Sequence, residues 1–331
     1  MVTTAEEPAG ETLGELGEGA VLARIVTRLP RSRWQALGPG DDSAVVAAPD
    51  GRFVVTTDLM VHGPDFRLAW SSPHDLGWKA SASNLSDVAA MGAVPTALVV
   101  AIAVPASTPV SVLEGVADGF RDGVDSLAPG CGVVGGDLSV SEVFTIAVTA
   151  FGDLEGREPV LRSGARVGDL VAVSGVLGEA ARGLRLLFTE AVDGQGAPDA
   201  ALAAALRPRT ARQLAPTPPI ADGRLAALAG ATSMIDLSDG LAIDAARVAR
   251  ASGVTIDFDS SALGPDVELA LGGGEDHSLL ATFPPGVELP GGFRAVGAVR
   301  SVLDDAAILL DGTPHDASGW DPYRGWDRGR G

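Results

Sequence analysis

Short β-rich runs alternate with helical segments along the whole chain, and a Gly/Arg/Pro/Asp-rich stretch over 152–169 divides the alternation in two. A helix must bury one stripe and a strand one face, so such a pattern implies sheets stacked against helices. At 331 residues the chain is long enough for two units of this kind, each with its own core. Strict βαβ spacing is missing, which leaves α/β and α+β arrangements open. The expected organisation is a loose polar tail over 1–17, a first domain over 18–155 and a second over 156–331.

Several elements can be read from local signals. Val21, Leu22, Ile25, Val26 and Leu29 have helical spacing over 19–29. Ser72-Pro73-His74-Asp75 reads as a helix start, with Ser as cap, Pro in the first turn and Asp three residues on; that helix should run to about Met91. Strands are expected over 44–48, 53–57, 97–104, 132–134 and 143–151, with a helix over 110–127. In the second half, strands are expected over 170–174, 233–235, 254–258, 278–283, 293–299 and 306–310. Helices are expected over 179–188, 224–228 and 243–251, and 190–201 reads as a surface loop.

Composition excludes several classes of function. The formal charge of −19 argues against nucleic acid or an anionic membrane as partner, because both need clustered cations. Lys79 is the sole lysine, so no Walker A loop is present, and it reads as a snorkelling surface residue. Cys131 stands alone, which removes a disulfide framework and a cysteine zinc site. The acidic start lacks an apolar signal region, and the longest apolar run, 97–104, is too short to span a bilayer. The expected location is the cytoplasm. The four histidines, His62, His74, His277 and His315, have no triad or metal spacing, and His277 reads as a packing or surface residue.

The chemistry is expected at six Asp/Gly clusters placed at strand ends: Gly40-Asp41-Asp42, Thr56-Thr57-Asp58, Asn84-Leu85-Ser86-Asp87, Gly135-Gly136-Asp137, Asp236-Leu237-Ser238-Asp239-Gly240 and Gly272-Gly273-Gly274-Glu275-Asp276. One Asp-Gly pair is ordinary turn chemistry. Converging carboxylates, however, repel one another unless cations lie between them. Asp with Thr and Ser hydroxyls suits Mg²⁺, and several Mg²⁺ ions imply a polyphosphate ligand. Glycines at 135, 136 and 272–274 would let backbone N–H groups approach phosphate, and Arg162 offers a fixed positive fork.

In this order the motifs resemble the thiamine-monophosphate kinase family, within the aminoimidazole-ribonucleotide-synthetase-like superfamily. The resemblance runs from about Gly17 to Trp320. It rests on Leu37-Gly38-Pro39-Gly40-Asp41-Asp42, Thr56-Thr57-Asp58, Asn84-Leu85-Ser86-Asp87-Val88-Ala89-Ala90-Met91-Gly92-Ala93, Val134-Gly135-Gly136-Asp137, Leu161-Arg162-Ser163-Gly164-Ala165, Ile235-Asp236-Leu237-Ser238-Asp239-Gly240-Leu241 and Gly273-Gly274-Glu275-Asp276. It implies a two-domain α/β fold of α+β type, an N-terminal domain that dimerises through its sheet and a C-terminal domain that closes over it. It implies ATP and thiamine monophosphate as ligands, several Mg²⁺ ions and a homodimer.

The resemblance also implies residue roles. Asp42, Thr56, Thr57, Asp58, Asp87, Asp137, Asp236 and Asp239 would ligate or approach Mg²⁺. Gly136, Asp137, Arg162 and Ser238 would contact ATP, and Asp42, Asp87, Asp137 and Arg162 would serve transfer. Glu275, Trp320 and the residue at position 65 would meet the substrate. Where the family reads V-E-G-x-H-F after Asp58, this chain reads Val61-His62-Gly63-Pro64-Asp65-Phe66. A carboxylate at 65 is unfavourable beside phosphate without a metal or a proton, but it suits the cationic thiazolium. The rival readings are another ATP-using enzyme of the superfamily and a catalytically silent binder of thiamine phosphate or nucleotide.

Overall fold

The computed structural model describes residues 11–39, 43–303, 306–317 and 319. In chain order the first half comprises α1 (Leu13–Leu16), α2 (Glu18–Val26), β1 (Gln35–Leu37), β2 (Val45–Val46), β3 (Val54–Val61), α3 (Pro73–Ala90), β4 (Val94–Val104), α4 (Val110–Leu127), β5 (Val133–Val140) and β6 (Thr145–Asp153). The second half comprises β7 (Leu170–Ser174), α5 (Glu179–Glu190), α6 (Ala200–Leu214), α7 (Ile220–Leu228), β8 (Ser233–Leu237), α8 (Leu241–Ser252), β9 (Thr255–Phe258), α9 (Val267–Gly272), β10 (Ser278–Phe283), β11 (Arg294–Arg300), β12 (Ile308–Leu310) and β13 (Thr313–Pro314).

Among the described residues, β3-β6-β4-β5 form one sheet and β13-β12-β9-β11-β7-β10-β8 another. The first sheet is antiparallel apart from β4 and β5, which α4 joins as parallel neighbours. The second is antiparallel apart from β9 and β12. This is the mixed α/β architecture expected. A single apolar core runs from Leu85, Leu98 and Phe120 in the first half to Met234, Leu279 and Phe283 in the second. A further core, around Ile235, Val248 and Phe258, lies wholly in the second half.

Ser72 opens the helix that joins the two sheets. Its hydroxyl accepts from the Asp75 N–H at 3.2 Å, the Asp75 carboxylate accepts from the Ser72 N–H at 2.9 Å, and Pro73 occupies the first turn. Arg207 of α6 also grips Asp75 with both guanidinium nitrogens. α3 is buried on nearly every side, lying against α4, the first sheet, α7 and strands β8 and β10. It meets α4 at glycines. A Cβ on Gly77 would stand 2.0 Å from the Val116 carbonyl oxygen, and one on Gly119 2.0 Å from that of His74.

Four sequence expectations are corrected. Within the supposed tail, Thr12 and Glu15 form a reciprocal cap on α1, and Leu13 is buried, because 11–14 hydrogen-bond to 106–110. The Thr56-Thr57-Asp58 and Gly135-Gly136-Asp137 clusters lie inside β3 and β5, and Asn84 to Asp87 lie inside α3, so these are not strand-end turns. β5 runs to Val140 because β4 supplies pairing partners out to Val104. Finally, most of α6 and the start of α7 lie within 202–223, where no element was legible. Pro208 lies inside α6 and masks it, since proline removes an N–H donor from a helix.

Candidate active site

Side chains one and two turns apart share a helix face. Lys79, Ser83 and Asp87 therefore form one stripe on α3. Facing it, β3 alternates, with Thr56, Asp58 and Met60 turned toward the covered side and Val55, Thr57 and Leu59 toward the open one. The two patterns meet where the Thr56 hydroxyl donates to Asp87 Oδ2 at 2.8 Å. The second sheet adds Asp236 at the end of its edge strand β8, with His277 at the mouth of β10. The Ser86 hydroxyl lies 3.4 Å from both Asp236 Oδ2 and His277 Nδ1, and those two atoms are 3.6 Å apart.

This group is electrostatically unbalanced. Burial pushes the Asp87 carboxyl up to about 7, and the charges of Asp236 and Asp58 add to the effect. Burial also raises Asp58; His277 and Ser83 oppose that rise, while Asp236 reinforces it. Burial works against a charged His277, yet Asp236 and Glu275 hold its pKa above the ordinary value. Contrary to the sequence reading, His277 is thus a buried partner of the carboxylates. The only signal for it was adjacency to the Gly-Gly-Glu-Asp motif. Hard oxygen donors that repel one another fit a divalent cation such as Mg²⁺. Among the described residues, no three acidic, histidine or cysteine side chains are drawn into a finished ion cage.

The Gly-Gly-Glu-Asp loop is pinned tightly. Glu275 and His277 have φ of 66° and 53°, which side-chain-bearing residues rarely adopt. The Glu275 N–H donates to the Ser238 carbonyl at 2.8 Å and the His277 N–H to that of Leu237 at 3.0 Å. Asp276, with its carboxyl pushed up to about 6 by burial, accepts from Gly178 and Ala180 at the start of α5. Glu275 is thereby carried to a cavity of about 200 Å³, which Asp65, Phe66, Arg67, Trp70, Phe188 and Gln213 also line. The Arg67 guanidinium lies 4.6 Å from the ring centres of both Trp70 and Phe188. Lys79 is buried here, with Nζ 3.0 Å from Glu275 Oε2, which corrects its reading as a surface lysine.

Asp65 reaches the same cavity, but its carboxylate also accepts from the Val61 N–H at 2.7 Å and so caps its own turn. Burial raises its pKa; the Val61 bond opposes this, and Glu275 adds to it. His62 packs against Phe66, and burial, with Arg67 nearby, lowers its pKa.

The other expected residues stand apart. Asp58 faces Val148, Val148 faces Val100 and Val100 faces Gly136, so the sheet separates Asp58 from the Gly136-Asp137 edge by three strand spacings, about 14 Å. Asp137 is exposed on the open face and accepts from the Ser139 hydroxyl at 3.1 Å. Thr57 shares that face, donating to the Val148 carbonyl at 2.9 Å. Gly136 has a structural reason to be glycine, since a Cβ would stand 2.0 Å from the Val100 oxygen. Two cavities of about 570 Å³ flank this edge. Asp239 is paired with Arg247 at 2.6 Å. Arg162 is exposed, its carbonyl accepting from the Ser252 hydroxyl at 3.0 Å. Asp42 and Trp320 lie outside the described residues. Cys131 is a core thiol that burial pushes up to about 12.

A family model described as AIR synthase related protein, N-terminal domain, matches residues 40–154. The thiamine-monophosphate kinase of Mycobacterium tuberculosis (strain H37Rv) is 43% identical over 331 residues, covering 95% of this chain and 92% of that protein. The chain belongs to the thiamine-monophosphate kinase family. The enzyme of Corynebacterium glutamicum is 38% identical, over 94% of this chain and 95% of the relative. Among solved structures, the thiamine-monophosphate kinase of Stenotrophomonas maltophilia K279a superposes with a TM-score of 0.75 at 30% identity, covering 89% of this chain and 97% of that one. AaThiL, solved in complex with AMPPCP and TMP, gives 0.69 at 31% identity, covering 94% and 98%. The resemblance carried by the motifs is therefore borne out, and this family member is a kinase. Among the described residues, no helix is long and apolar enough to cross a membrane.

Proposed function

We propose that this kinase transfers the γ-phosphoryl group of ATP directly to the phosphate of thiamine monophosphate, giving thiamine diphosphate and ADP. The observation that carries the reading is the group of half-buried Asp58 and Asp87 with buried Asp236, beside an aromatic cavity walled by Glu275 and Asp65. The cavity offers stacking surfaces and carboxylates to a cationic heteroaromatic. In this reading the phosphates of acceptor and donor meet at the acidic group.

Asp58, Asp87 and Asp236, with the Thr56 hydroxyl, are the residues that would hold Mg²⁺, which when bound neutralises phosphate charge in the transfer. Mg²⁺ commonly takes only one or two carboxylates and completes its shell with water and phosphate oxygens, so an unfinished protein cage suits it. The attacking phosphate oxygen is already ionised near neutral pH and needs no strong base. The chain's task is to align it in line with the γ-phosphorus and to exclude competing water. Ser238, whose carbonyl accepts from the Glu275 N–H, is an ATP contact in this reading.

Gly136, Asp137 and Arg162 are further ATP contacts in this reading, and Asp42 and Trp320 complete the metal and substrate sides. Asp239, already balanced by Arg247, acts at the periphery. The open sheet face exposes Val55 and Leu59 and carries Thr57 and Asp137. A second copy seated there would cover that face, with Thr57 and Asp137 in the seam. The functional unit is accordingly a cytoplasmic homodimer of two-domain chains divided near residue 155.

Asp87→Asn and Asp236→Asn test the metal assignment. Each should lower kcat by about 10²–10³-fold. Asp87→Asn should also raise the melting temperature of the metal-free protein, because a repelling charge is gone. Near-normal turnover by either variant contradicts the assignment. ATP and thiamine monophosphate binding by wild-type protein without ADP would point instead to a silent binder.

A further inference from the structure

Glu275 receives both of its side-chain hydrogen bonds on one oxygen. Lys79 Nζ donates to Oε2 at 3.0 Å, and Gln213 Nε2 donates to the same atom. Among the described residues, no donor reaches Oε1. The two donors come from helices far apart in the chain, α3 and α6, and both line the aromatic cavity with Glu275. The Lys79 side chain is 7% exposed, whereas that of Glu275 keeps 27%. The ammonium is thus sunk in the wall while the carboxylate remains open to the cavity.

Gln213 accepts an imbalance to make this contact. Its Oε1 is buried with no donor among the described residues. Turning the amide over would satisfy neither end, since it would set Oε1 against the Glu275 carboxylate. A glutamine kept only for packing would be satisfied at both ends, as buried polar groups generally are. Burial of Glu275 by itself would raise its pKa, but Lys79 and Gln213 outweigh that and hold it below the ordinary carboxylate range.

We propose that Lys79 and Gln213 are positioning residues for the acceptor: by clamping Glu275 Oε2 they turn Oε1 into the aromatic cavity, where it faces the cationic thiazolium ring of thiamine monophosphate. This rests on the reading of thiamine monophosphate as the acceptor. Lys79 and Gln213 act through Glu275, so their effect falls on acceptor affinity rather than on ATP or on the chemical step.

The experiment uses the full chain, with initial rates measured against thiamine monophosphate and against ATP separately. Gln213→Leu, which alters no charge, should raise KM for thiamine monophosphate about tenfold, the equivalent of one charge-assisted hydrogen bond. KM for ATP should stay within about twofold. Lys79→Met should raise the acceptor KM further, and Lys79→Arg should recover most of the loss because it keeps a charged donor. A purely structural role would instead lower kcat and melting temperature with both KM values unchanged, and that result overturns the proposal. If Lys79→Met does not fold, Gln213→Leu and Lys79→Arg decide alone. Wild-type protein that turns over thiamine monophosphate, beside variants of unchanged acceptor KM, removes the positioning role and leaves the acceptor reading intact. Wild-type protein that makes no thiamine diphosphate removes both.

Discussion

Asp87 has a carboxyl pushed up to about 7 because burial, Asp236 and Asp58 all disfavour its charge. In the unfolded chain the same group titrates near 3.9. Between those values the folded state holds a proton that the unfolded state has released, so metal-free protein loses stability as pH climbs from about 4 to about 7. Asp244, also pushed up to about 7 mainly by burial, adds to the same trend. Thermal unfolding in EDTA should show a melting temperature that falls across this window. Mg²⁺ should raise it more at pH 8 than at pH 5.5, because only ionised carboxylates hold the cation. An equal Mg²⁺ effect at both values would contradict the assignment. At this scale the sequence was legible in part. Asp58, Asp87 and Asp236 were found from their motifs. Lys79 and His277 were not, because a lone lysine or histidine carries no mark of burial: Glu275 meets Lys79 from 196 residues away, and Asp236 meets His277 only through the pairing of β8 with β10.

α3 was legible as an element because its start is chemically local: Ser72, Pro73 and Asp75 form the cap within four residues. What the helix does was less legible. Its burial on nearly all sides depends on α4, α7 and both sheets, and no short window contains those. Its contact with α4 rests on Gly77 and Gly119, each of which brings a backbone within 2.0 Å of where a Cβ would lie. Gly77→Ala or Gly119→Ala must therefore push the helices apart, at a cost of about 1–3 kcal/mol or more. Because Lys79 and Asp87 ride on α3, the same variants should weaken turnover beyond their loss of stability. Chemical denaturation with parallel rate measurements checks this, and wild-type stability and rate in either variant would show that the seam yields easily. β5 was underestimated for a related reason. Glycines at 135 and 136 read as a loop, yet Gly136 is demanded by the close approach of β4.

At the scale of the molecule, the alternation of strands and helices gave the architecture, and the ordered motifs gave the family. The assembly was not legible, because a sheet with one polar-flecked face looks alike whether water or a second copy covers it. The open face of the first sheet exposes Val55 at 54% and Leu59 at 58%. Leu59→Arg should convert the proposed homodimer into a monomer in light scattering. A wild-type mass matching one chain of 33.4 kDa would contradict the dimer. The most direct test of the whole account is a product assay. Purified protein is incubated with ATP, Mg²⁺ and thiamine monophosphate, with free thiamine as a parallel acceptor and EDTA as a control. Thiamine diphosphate and ADP should form in equal amounts, from the monophosphate only and only with Mg²⁺. ADP without thiamine diphosphate, or product formed unchanged in EDTA, would contradict it.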